Sequence, residues 1–121
     1  MRGVICLAFL GAMVAAPAMA QTSCVAPDRP ASIDGTTVTL DQIKASVSAA
    51  KQFMASSDAY QGCLGKEVEA QKAAATPDKP FDKAIETRDI ALALANQKMK
   101  EDVGTSVNAA VAVYKKAHPA P

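Results

Sequence analysis

Tryptophan is missing from this sequence, and two tyrosines, three phenylalanines and a single histidine are all its aromatic rings. So sparse a set offers no platform on which bases or sugars stack. No charge of one sign dominates either: 13 Lys and Arg stand against 12 Asp and Glu, intermixed along the chain. Neither a nucleic-acid footprint nor a basic patch for an anionic membrane is present. Catalytic vocabulary is equally thin. His118 lies close to the C-terminus beside Pro119, where it reads as a solvated tail residue outside any preorganised triad. There is no CxxC, CxxCH, GxGxxG, Walker loop or GxSxG. Glu67 and Glu69 are two apart and face different sides of a helix. Asp82, Glu86 and Asp89, interleaved with Lys83, read as a solvated helix face instead of a metal site. The expectation is a protein that is no enzyme and holds no metal or cofactor.

What is present begins with the targeting pattern "MRGVICLAFLGAMVAAPAMA". Arg2 supplies a short positive region, Val4 to Val14 an uncharged apolar run, and Ala18-Met19-Ala20 a small-x-small cleavage site. A membrane anchor needs about 20 apolar residues, whereas this run dissolves into Ala and Pro. Residues 1–20 therefore read as a signal peptide, with the exported chain starting at Gln21 and having no membrane span. Cys24 follows Gln21-Thr22-Ser23, which does not suit lipidation.

With Cys6 removed in the signal, Cys24 and Cys63 form an even pair in an oxidising compartment. Bonding them allows one connectivity, and closing the loop between them stabilises the fold by about 4 kcal/mol on the chain-entropy account. A redox pair or thiolate metal site would need a CxxC or clustered His and Asp, and neither occurs.

Periodicity supplies the rest. Leu40, Ile43, Val47, Ala50, Met54, Ser57, Gln61, Leu64 and Val68 recur at steps of three and four, the seam of an amphipathic, coiled-coil-like helix. Thr39 and Gln42 form a capping box at its start, with Val38 and Ile43 placed as a hydrophobic staple. It should end near Ala75, before Pro77. Pro80 suits the first turn of a second helix to about Lys116, with Phe81, Ile85, Leu92, Ala95, Met99, Val103, Val107, Ala110 and Tyr114 along one side. The predicted architecture is all-α, an antiparallel two-helix hairpin of about 40–75 and 80–116, within a domain at 39–117 and ahead of a tail at 118–121. Its register sets Cys63 and Leu64 against Ala91 and Leu92, Tyr60 against Ala95, and Ile43 against Ala112.

Residues 21–38 carry Pro27 and Pro30 and read as an extended segment tied to helix 1 by the disulfide. At about 3.1 Å per residue the stretch from Cys24 to Thr39 reaches about 46 Å, and the helix from Leu40 to Cys63 rises about 35 Å. The bond closes if an Asp34-Gly35 turn reverses the chain. The prolines then pass Phe53 and Tyr60, seven apart on nearly one face. Gly62 and Gly65, each costing a helix interior about 1 kcal/mol relative to alanine, are expected to let the segment's backbone approach at the bridge, the alternative being a local break in the helix.

Cys24-x-x-Pro27-x-x-Pro30, Asp34-Gly35, Thr39, Tyr60-x-x-Cys63-Leu64 and Asn108-x-x-Val111-x-x-Tyr114-Lys115 resemble a group of small secreted or periplasmic bacterial helical-hairpin proteins with no assigned activity. Ile33 stands where that pattern has proline, and Val107 where it has an aromatic. The resemblance implies a hairpin fold and an exported compartment.

A two-helix hairpin leaves part of its seam uncovered, and Ile90, Leu94 and Val113 lie off the main stripe. The expected function is a noncatalytic structural or interaction protein of the cell envelope, with a homo-oligomer or an envelope protein as partner. Its candidate binding surface is Phe53, Tyr60, Ile90 and Leu94, the alternative for each being ordinary core. The alternative is a small periplasmic carrier of a ligand or metal.

Overall fold

The structure is a computed structural model that describes residues 22–120. The expected signal peptide and the Ala20–Gln21 cleavage point lie outside the described residues. Two helices, α1 (Leu40–Ala73) and α2 (Lys83–Ala117), pack against each other, and no strand occurs among the described residues. An N-terminal segment runs over them, tied at Cys24 to Cys63.

Thr39 starts α1 as its sequence requires. Its side chain accepts from the Gln42 N–H at 3.3 Å, and its own N–H donates to Gln42 Oε1 at 2.8 Å. The helix continues unbroken through Gly62 and Gly65. After Ala73 the chain reverses between Thr76 and Lys79, whose backbones exchange hydrogen bonds of 2.9 and 3.1 Å. Pro80 and Phe81 belong to this connection, so α2 starts later than Pro80 suggests. Asp82 is its N-cap, accepting from the Ala84 N–H at 2.9 Å. At the far end His118 is the C-cap: its N–H donates to the Tyr114 carbonyl at 3.0 Å and its ring stacks on Tyr114 at 4.3 Å. The expected tail histidine is exposed but ordered.

The seam is shifted from its expected line. On α1, Ile43, Ala50, Phe53, Ser57, Tyr60, Leu64 and Val68 are buried, so Phe53 and Tyr60 take the places assigned to Met54 and Gln61. Leu40, expected in the seam, is exposed. On α2 the buried set is Asp89, Asn96, Val103 and Ala110, one residue every seven. Ala95 and Ala112, expected to face Tyr60 and Ile43, are exposed instead. Asp89 is likewise no part of a solvated face, being 2% exposed. The hairpin's overall pairing follows expectation, since Leu92 packs against the Cys24, Tyr60 and Leu64 cluster. A second cluster joins Ala50, Phe53 and Val103, with Met54, Met99 and Val107 alongside. Burying a ring such as Phe53 stabilises by about 1.5–3 kcal/mol, so these two clusters hold the hairpin at separate points along its length.

The segment lies in the groove between both helices, not along α1 alone. Pro27 and Pro30 share a cavity with Phe53, and Arg29 to Ser32 border Val103 and Val107 of α2. The chain then turns at residues 35–37, where the Thr36 N–H donates to Asp34 Oδ1 at 2.9 Å and lowers that carboxyl's pKa. Gly35 is buried against α2, and a Cβ there would lie 2.1 Å from the Ala110 carbonyl oxygen. No glycine among the described residues has positive φ, so Gly35 is required for space and not for its backbone conformation. Gly62 and Gly65 do not have the role expected of them: a Cβ at either would meet no atom within 4 Å. The close approach that demands glycine occurs on α2, at the other end of the segment.

Candidate functional site

Helical periodicity divides the surface beside Leu64 into two flanks. Positions 63 and 67 fall on one side of that residue, and positions 61, 65 and 68 on the other. The N-terminal segment occupies the first. Cys24 and Cys63 are bonded at 1.99 Å with their Cα atoms 5.8 Å apart, and Cys24 is buried in the core cluster. One turn further on, Glu67 Oε2 accepts from the Thr22 hydroxyl at 2.6 Å and from the Ser23 N–H at 3.3 Å. Its second oxygen accepts from Arg88 Nη2 at 2.6 Å, and Arg88 Nε donates to Asp89 Oδ1 at 2.7 Å. One carboxylate thus ties the segment, α1 and α2 together. The Thr22 hydrogen bond, followed by Arg88, holds Glu67 below the ordinary glutamate range. Asp89 first and then Glu67 raise the Arg88 pKa further, fixing its positive charge.

Polar groups also sit inside the seam. Asn96 Nδ2 donates to the Ser57 hydroxyl at 3.2 Å, and Gln61 Nε2 donates to Asn96 Oδ1 at 2.8 Å. Buried, satisfied amides of this kind pin the register of two helices, because a shifted alignment leaves them unpaired. Lys72 pairs with Glu86 at 2.5 Å and Lys100 with Asp58, both across the hairpin. Such exposed pairs contribute little, about 0–1 kcal/mol.

The four candidate surface residues separate. Phe53 and Tyr60, 4% and 6% exposed, are core residues covered by the segment and offer no free surface. Ile90 and Leu94 are 54% and 65% exposed. They stand one turn apart on α2, and Ile90 lines a cavity with Gly65 and Asp89 on the flank that the described part of the segment leaves uncovered. Val113 is exposed further along the same helix. Asp89, Asn96 and Glu67 are the residues that sequence reasoning missed. The seven-residue spacing of Asp89 and Asn96 ahead of Val103 and Ala110 was the available signal for the first two; Glu67 carried none.

Among the described residues no three His, Cys, Asp or Glu side chains stand together as metal ligands, and no helix is long and apolar enough to cross a membrane. Comparison with protein-family models, with curated proteins and with solved structures finds no match for this chain.

Proposed function

We propose that this chain is a noncatalytic, exported structural or interaction protein of the cell envelope. Its contact surface is the hairpin flank that the N-terminal segment leaves bare. The observation that carries this reading is the pair Ile90 and Leu94, exposed side by side while the much larger rings of Phe53 and Tyr60 are covered. A chain that spends a disulfide-tethered segment on one flank and leaves branched apolar residues on the other has a face suited to another protein. Export is supported by the signal-like residues 1–20 and by a disulfide, which persists in oxidising compartments.

The test is a double substitution, Ile90→Gln with Leu94→Gln, followed by light-scattering mass and cross-linking in the native envelope. The parent should give an oligomer or a cross-linked partner that the variant loses, with helicity unchanged. Identical mass and identical cross-links in both proteins would remove the interface. The carrier reading draws on one feature, the cavity beside Asp89. A monomer that forms no cross-link, but whose Tm rises with a small ligand, would favour it.

A further inference from the structure

On the uncovered flank a cavity of about 130 Å³ opens between the helices. Leu64 and Val68 of α1 and Ala93 of α2 give it apolar walls. Gly65 leaves it open, because a side chain at that position would project into unfilled space. Asp89 is the one acidic residue of the lining and is 2% exposed. Its Oδ1 accepts from Arg88, whereas Oδ2 has no hydrogen-bond partner among the described residues. Gln61, the other polar wall, already donates its amide to Asn96 and Gln97. A buried carboxylate oxygen without a donor is strongly unfavourable, and a donor entering the cavity beside Asp89 would relieve it.

Charge and shape define that donor. Glu67, Arg88 and Asp89 combine two carboxylates with one guanidinium, an excess of one negative charge that favours a cation. A lysine side chain carries three N–H donors on an apolar four-carbon stem. The cavity approaches the roughly 150 Å³ that admits a benzene-sized guest. Beyond it, exposed Ile90 and Leu94 continue the apolar surface, which a free amine would leave bare and a polypeptide would cover. We infer that the cavity is a socket for a lysine of a partner protein, flanked in that partner by apolar residues. This inference rests on the interaction reading above and gives its contact a chemistry.

The probe is a capped peptide, acetyl-Ala-Leu-Lys-Leu-Ala-amide, titrated into the disulfide-intact protein while the Gly65 amide and Ala93 methyl NMR signals are followed. Saturable shifts of both are expected. The same peptide with acetylated lysine should bind at least tenfold more weakly, and so should n-butylamine, which lacks the apolar flanks. Gly65→Leu, which favours the helix and fills the opening, should keep full helicity and lose the shifts. Absence of saturable shifts, equal binding of the acetylated peptide, or unchanged binding by Gly65→Leu would each overturn the socket. Butylamine binding as tightly as the peptide would show a free-amine site and overturn the protein-borne lysine. The Ile90 and Leu94 cross-linking test reports separately, so a partner captured without lysine discrimination removes only the socket.

Discussion

Three glycines that look alike in the sequence have opposite consequences. Gly35 lies so close to α2 that a Cβ would overlap the Ala110 carbonyl and crowd the Tyr114 nitrogen at 3.0 Å. Gly35→Ala must push the segment off α2, a backbone shift of the kind that costs about 1–3 kcal/mol. Gly62→Ala and Gly65→Ala meet open space and should each stabilise α1 by up to about 1 kcal/mol. Urea midpoints of the three variants check this: the first should fall and the others rise. Glu67 gives the second prediction at this scale. Its pKa lies below the unfolded value, so its contribution to stability is complete above the ordinary glutamate range and disappears as acid titrates through the lowered value. Between neutral pH and pH 3 the parent should lose more stability than Glu67→Gln, which has no carboxyl to protonate there. Parallel pH profiles would show that the Thr22 and Arg88 bonds contribute nothing.

Among the elements, the helices were legible and their interior was not. The Thr39 capping box and the proline-marked connection are local signals that the structure keeps, and the runs of apolar spacing mark two helices whose seam is shifted. Phe53 lies beside Pro27 and Pro30 as expected and Tyr60 packs on Cys24 of the same segment, and both stood as candidates for surface or core because periodicity shows direction and cannot show what covers a face. Asp89 and Asn96 were passed over since their polarity masks a seven-residue seam, and the partners that make them tolerable, Arg88 and Ser57, are legible only after folding. The glycine needed for close approach was misassigned for the same reason: segment and α2 meet across most of the chain. The segment itself is held by the Cys24–Cys63 bond and the Glu67 cluster, whereas α1 and α2 meet through their own residues. In Cys63→Ser, residues 22–38 should therefore detach, with protease cutting first near Arg29, while far-UV circular dichroism remains strongly helical. Loss of most helicity at 25 °C would mean that the segment, and not the seam, holds the hairpin together.

At the scale of the whole molecule, the described part of the N-terminal segment covers one flank of the hairpin, and Ile90 and Leu94 are exposed on α2. The asymmetry follows from the disulfide side: Cys63 and Glu67 draw the segment over their flank, and Gly65, Ile90 and Leu94 lie away from it. The most direct measurement is site-specific photo-cross-linking in the native envelope. A photoreactive residue is placed at Leu94, and in a second protein at Ala55, which is exposed on α1. A discrete cross-linked species is expected from position 94 that is absent from position 55 and is lost when Ile90 is also changed to Gln. The same yield and pattern from both positions, or no cross-link from position 94, would contradict that expectation.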